Sequence, residues 1–149
     1  QSDGPRTCAA AIGNVQGMGG PVRVYDTHLD HLDAEARRLG LAQVLQRMRD
    51  DAAALPLPAV LLGDFNAEPD AAELAPLFAP GAPLGLRDVT GGVEVTFHGF
   101  YYGNEPPAKI DYLFATPELG CRCLDVWRDK VDGVYLSDHY PLCAALERR

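Results

Sequence analysis

Asp64 and Asn66 stand two positions apart in the stretch Leu61-Leu62-Gly63-Asp64-Phe65-Asn66-Ala67-Glu68-Pro69. In extended backbone such a pair projects to one side, so a carboxylate and an amide can address the same water or the same phosphoryl oxygen. The apolar run Ala59, Val60, Leu61 and Leu62 ahead of them reads as a buried strand, and Gly63 permits a bend or a close approach. A strand end holds chemistry rigidly. The same residues would also form an Asx turn leaving a core strand, which is the ordinary structural role of a Gly-Asp pair.

Four further polar clusters occupy similar places: Asp26-Thr27-His28-Leu29-Asp30-His31, Thr96-Phe97-His98-Gly99-Phe100, Lys109-Ile110-Asp111-Tyr112-Leu113-Phe114 and Ser137-Asp138-His139-Tyr140-Pro141. Asp111 is a poor choice for an apolar strand unless a partner is provided, because a buried charge must be paired. Taken singly, His28 reads as a satisfied, partly buried imidazole and His31 as a surface residue. Taken together, carboxylates converging at one end of a sheet repel and raise one another's pKa unless a cation sits among them. Oxygen ligands of this kind suit Mg²⁺ or Mn²⁺ better than a structural Zn²⁺. An adjacent Asp-His pair can then place one group near the metal and the other over a substrate. The reaction this combination suits is attack by water on phosphorus.

The elements that must position these groups alternate along the chain. Residues 6–12 and 22–25 read as strands around a glycine-rich turn at 13–20. Asp33 can cap a helix with Glu35 in its first turn, and Leu41, Val44, Leu45, Met48 and Ala52 recur at helical spacing on one face. Gly40 within that helix suggests close approach to a neighbour. Pro56 and Pro58 end the helix, and strand 59–63 follows, an order that implies layered α/β architecture. Asp70 is expected to cap a short helix reaching Leu77. Residues 95–100, 109–114, 121–127 and 142–146 read as further strands or strand ends, with a turn at 103–107. Phe100, Tyr101 and Tyr102 are placed to stack a base or to pack a loop.

With 149 residues and a 47% hydrophobic composition, the chain can bury one core. No apolar run approaches the length needed to cross a bilayer. The net charge of -8 argues against gripping duplex nucleic acid by its backbone, since that affinity comes from Lys and Arg. Cys8, Cys121, Cys123 and Cys143 lack metal-ligand spacing and are expected as small buried hydrophobes, and the histidines lack the paired spacing of a zinc site.

The five polar motifs, in this order and spacing, resemble those of the endonuclease/exonuclease/phosphatase superfamily with the deoxyribonuclease I-like fold, and are most similar to its bacterial metal-dependent hydrolases. The resemblance runs from Arg6 onward and implies the C-terminal half of a four-layer α/β-sandwich. It implies that Asp64 orients or deprotonates the attacking water and that Asn66 holds a phosphoryl oxygen. His139 would contact the scissile phosphate, with Asp111 fixing its tautomer and charge. Asp138 would be a metal-side ligand together with Asp64, His28 a second phosphate contact or acid, and His98 a pocket-lining substrate contact. Mg²⁺ is the implied cofactor, with Mn²⁺ as a substitute.

The superfamily pattern also includes an Asn after the first strand and a metal-binding Glu, both earlier in the domain than any counterpart here. Glu35 and Glu68 are in the wrong places to replace that Glu, and the first residue is Gln1 rather than Met. The expectation is therefore one domain over residues 1–149, incomplete at its N-terminal side, whose partner is the missing half of the same domain. Alone it would expose a sheet face that this half normally covers. The implied substrate is a phosphate ester, either nucleic acid or a small phosphorylated molecule. The alternative is a non-catalytic remnant of the same fold acting as an interaction module.

Overall fold

The computed structural model describes residues 4–101 and 106–149. Tyr102 and most of the turn expected at 103–107 lie outside the described residues. Strand β1 (Cys8–Asn14) pairs antiparallel with β2 (Pro21–His28), and helix α1 (Ala34–Ala54) carries the chain to β3 (Ala59–Asp64), parallel to β2. After a 3-10 turn at Ala72–Leu74 come the short helix α2 (Ala75–Phe78) and β4 (Arg87–Asp88). Strand β5 (Asp111–Ala115) then inserts between β3 and β4, giving a five-stranded sheet of order β1-β2-β3-β5-β4. Strands β6 (Leu119–Val126) and β9 (Leu142–Arg148) form a second, two-stranded sheet, and the hairpin β7 (Lys130–Val131) and β8 (Val134–Tyr135) projects between them in sequence.

Alternation along β3 explains the layers. Ala59 and Leu61 face the core shared with Leu41, Val44, Leu45 and Met48 of α1, whereas Val60 and Leu62 face Leu119 and Leu146 of the second sheet. Period-two geometry then puts Asp64 on the same side as Val60 and Leu62, at the open end of the sheet-to-sheet interface. The expected α/β architecture is thus present, with a helix on one face of the larger sheet and a second sheet on the other.

Local chemistry sets the element ends. Asp33 caps α1, its Oδ1 accepting from the Ala36 N–H at 3.0 Å, and Leu41, Val44, Leu45 and Met48 are its buried residues. A Cβ at Gly40 would stand 3.4 Å from the Leu29 side chain, so helix and strand end do meet closely there. Three expectations are corrected. Asp70 caps nothing: the following turn starts from Ala71 without a side-chain cap, because Pro76 and the 3-10 geometry leave no α-helical first turn for a carboxylate to close. All four cysteines are exposed, on β1, β6 and β9. Residues 95–100 make isolated bridges from Phe97 to Ala108 and His139 instead of a strand, and end in a 3-10 turn at Gly99–Tyr101.

β1 is exposed along all seven residues, with Ile12 54% accessible. It is an edge strand of the larger sheet. No helix among the described residues is long and apolar enough to cross a membrane.

Candidate active site

Three strands deliver three side chains to one edge. His28 and Asp64 are register partners across β2 and β3, and Asp64 and Asp111 across β3 and β5, so all three lie in one row at one end of the sheet. Gly63 makes the row possible. Its φ is +136°, and a Cβ there would stand 1.8 Å from the Thr27 carbonyl oxygen, so any side chain would push β2 away from β3.

His139 reaches this row from the segment before β9. Its Nδ1 is 2.8 Å from Asp111 Oδ2, and its Nε2 is 4.0 Å from Asp64 Oδ2. His28 Nε2 stands 3.5 Å from the same Asp64 oxygen. Asp64 Oδ2 therefore lies between two imidazole nitrogens, while its Oδ1 accepts the Asn66 N–H at 2.8 Å. The Asx turn anticipated as an ordinary structural role is formed here, and it aims the second oxygen at the cleft. Asn66 takes φ +49° and donates from Nδ2 to the Leu29 carbonyl at 3.0 Å, which leaves its other N–H and its side-chain oxygen for a ligand.

Electrostatics act on Asp64 and on His139. The Asp64 carboxyl is pushed above the usual carboxylate range, first by burial and then by the Asp111 charge, against the pull of the Asn66 N–H. His139 is pushed above the ordinary imidazole value by its hydrogen bond to Asp111, with burial opposing and the Asp111 and Asp64 charges adding. An imidazole whose charged form is favoured thus faces an acid that burial makes reluctant to ionise. Such divergence between neighbouring groups is what general acid-base chemistry uses.

The segment 96–99 holds the two halves of the site together. Thr96, fully buried, accepts the Ile110 and Asp111 N–H groups on Oγ1, each at 3.0 Å, and its carbonyl accepts the Tyr140 N–H at 2.6 Å. One residue therefore bonds the backbone of Asp111 and of the neighbour of His139. The Phe97 ring stands edge-on to His139 at 5.1 Å, and the His139 N–H donates to Ser137 Oγ at 3.1 Å. Thr96, Phe97 and Ser137 escaped the sequence reading as functional residues, though all three lie inside motifs that flagged their neighbours.

The remaining expected residues sit apart. The Asp138 carbonyl accepts the His98 N–H at 2.8 Å, while among the described residues its carboxylate takes only a long 3.5 Å contact from Ser137 Oγ. His98 is 1% exposed and does not line the Asp64 cleft. It sits among Tyr101, Tyr135 and Tyr140, accepts the Phe100 N–H on Nδ1 at 3.1 Å, and is held below the ordinary imidazole value by burial. His31 is exposed, its Nδ1 2.9 Å from the Arg6 guanidinium. Phe100 is half-buried, and Tyr101, 58% exposed, hydrogen-bonds Tyr140 at 2.7 Å.

Asp64, Asp111 and His139 each offer a ligand atom within 4.8 Å of the others. The donor set is oxygen-rich and one of its carboxylates resists ionising, which is what a hard divalent cation would relieve. The two carboxylates, rather than an imidazole whose charged form is favoured, fit a cation of the magnesium class.

The layered α/β fold, with its carboxylate-imidazole row at the sheet end, has the deoxyribonuclease I-like architecture. The chain belongs to the endonuclease/exonuclease/phosphatase family, whose model matches residues 1–139. Among solved structures, a functionally unknown conserved protein from Enterococcus faecalis V583 superposes with TM-score 0.79 at 26% identity, over 95% of this chain and 56% of that one. An endonuclease/exonuclease/phosphatase from Bacteroides vulgatus matches with TM-score 0.78 at 28% identity, over 97% and 56%. A mannosyl-6-phosphatase from Bacteroides thetaiotaomicron VPI-5482 shares the fold at TM-score 0.76 and 23% identity, over 95% and 57%. The chain thus spans a little over half the length of these proteins. No curated protein matches it by sequence.

Proposed function

We propose that this chain carries the water-activating and phosphate-facing part of a divalent-cation-dependent phosphoesterase. The observation that carries the reading is the line of Asp111, His139 and Asp64, with the imidazole bonded to one carboxylate and facing the other. Asp64 Oδ2 takes the proton of the attacking water, and the Asx turn from Asn66 keeps that oxygen directed. His139, cationic through Asp111, faces the phosphoryl oxygens on which charge develops, and His28 adds a second contact. The free donor of Asn66 holds a third oxygen. Asp64, with Asp111 beside it, would hold the Mg²⁺, with Mn²⁺ as a substitute, and when bound the ion would supply charge to the phosphoryl group; Asp138, expected as the other ligand, is outside that cluster.

Residues 1–149 are proposed to form one domain completed on its N-terminal side by further chain, and the activity belongs to the completed polypeptide. Net acidity favours a small phosphate ester or a short single strand over duplex DNA. Two fold relatives frame the range: the mannosyl-6-phosphatase, and D. rerio TDP2, whose structure was solved with a single-strand DNA product.

The test is hydrolysis of bis-p-nitrophenyl phosphate and p-nitrophenyl phosphate by the complete polypeptide with Mg²⁺, Mn²⁺ or EDTA. Metal-dependent turnover, lost in a folded His139→Ala variant, is expected, and the preferred ester separates diesterase from monoesterase. Folded protein that is silent with every metal would remove the proposal in favour of an interaction module.

A further inference from the structure

At the opposite end of the larger sheet, a cleft of roughly 400 Å³ opens between α1, the 56–58 loop and the end of β9. Arg23 lines it from the start of β2, with Arg148 and Arg149 alongside. Arg23 is five residues before His28 along one strand, which places the cleft about 17 Å from the catalytic row at the usual strand rise. The two are separate places on the molecule.

Arg23 is 6% exposed, and among the described residues no carboxylate lies within the 4 Å of an ion pair. Its guanidinium lies beside the Tyr25 hydroxyl. Asp51, the acid that senses its charge, is already engaged by the Tyr25 hydroxyl at 2.8 Å and by Arg47 at 3.0 Å. Of the cleft's own residues only Glu118 is acidic. Three arginines thus line one cleft whose one acidic side chain is Glu118, in a chain whose net charge is -8, and of their guanidinium groups that of Arg148 also donates to the Pro21 carbonyl at 3.1 Å. A cation removed from water without a close counter-charge costs stability, so a sequence that holds Arg23 there gains if an anion is supplied from outside.

We propose that this cleft binds a multiply charged oxyanion of the phosphate class, with Arg23 at its floor and Arg148 and Arg149 at its rim. Guanidinium forks match phosphate oxygens in pairs, and more than one fork calls for more than one negative charge. The apolar side of the cleft, Met48 and Leu57, leaves room for a carbon substituent on the phosphate. The site is independent of the proposed hydrolysis.

Calorimetric titration of the complete polypeptide with pyrophosphate in EDTA, paired with melting curves, tests it. Wild type and His139→Ala are expected to bind pyrophosphate and to melt higher in its presence. Arg23→Met is expected to lose at least about tenfold in affinity, the effect of removing a charge-assisted hydrogen bond. That variant should melt no lower than wild type without anion, since an apolar side chain of similar volume replaces a poorly paired buried charge. Succinate, a dianion without the phosphate geometry, should bind more weakly than pyrophosphate. Unchanged affinity in Arg23→Met, no binding by wild type, loss of binding in His139→Ala, or succinate binding as tightly would each overturn the assignment. Should Arg23→Met not fold, the Arg148→Met/Arg149→Met double variant is read in its place, and wild-type affinity there overturns it equally.

Discussion

Replacing Asp111 by Asn keeps the shape of the side chain and removes its charge. At 2.8 Å from His139 Nδ1, the carboxylate contributes a gross Coulomb term of about 6 kcal/mol at an effective dielectric of 20, most of it offset by desolvation. What survives is the net value of a charged hydrogen bond, about 1.5–3 kcal/mol, or roughly 10- to 150-fold in rate if the transition state alone feels it. The Asn amide can also present its NH₂ group to Nδ1, which would turn the imidazole into the other tautomer and add to the loss. A fall in kcat of about 10²-fold or more is expected. The direction with pH is fixed by the same contact. Asp111 holds His139 above the ordinary imidazole value, so the cationic form persists below that raised pKa and is lost as pH rises through it. Without the carboxylate, the alkaline limb of the kcat profile should move to lower pH. The assay is bis-p-nitrophenyl phosphate hydrolysis by the complete polypeptide from pH 5 to 10, with far-UV circular dichroism to confirm folding. A kcat within threefold of wild type, with the alkaline limb unmoved, would refute the role given to this pair.

Three other perturbations follow from the same geometry. Asp64→Asn should abolish turnover yet raise the melting temperature of metal-free protein at pH 7. The Asp64 carboxyl is raised by burial, so it costs stability above its folded pKa, and the advantage of Asn should vanish as pH falls below the unfolded value. Gly63→Ala sets a Cβ 1.8 Å from the Thr27 carbonyl oxygen and should destabilise by more than about 3 kcal/mol, measured by urea unfolding. Thr96→Val strands two N–H groups and should cost about 1–3 kcal/mol each with a large loss of kcat, whereas Thr96→Ser keeps the acceptor and should restore most of both.

What could be read before the structure was known follows a physical rule. Asp64, Asp111, His28 and His139 were legible because each places a polar group where an apolar strand requires a reason for it. Helix α1 was legible because its cap and its stripe are local to its own sequence. The cysteines were misread because burial in β6 and β9 depends on which face another element covers, and alternation alone does not say. His98 looked like a pocket residue because its motif adjoins the site, but two of the tyrosines that enclose it, Tyr135 and Tyr140, come from distant segments. The β7–β8 hairpin did have a signal, Asp132-Gly133, where both residues take positive φ as a tight hairpin turn demands. Asp70 had the right residue type for a cap, and Pro76 decided otherwise.

Phe65 lies between Asp64 and Asn66 in sequence and is fully buried, its ring edge-on to Tyr112 at 5.3 Å and to Phe114 at 5.7 Å. The carboxylate proposed to take the proton of the water and the amide proposed to hold a phosphoryl oxygen are therefore mounted on either side of a core anchor, with no hinge of their own. Loosening this loop means loosening the aromatic core. On heating, loss of the site and loss of the fold should share one midpoint, and adaptation to cold cannot proceed here by softening the loop, as it can where reactive groups ride on a lid.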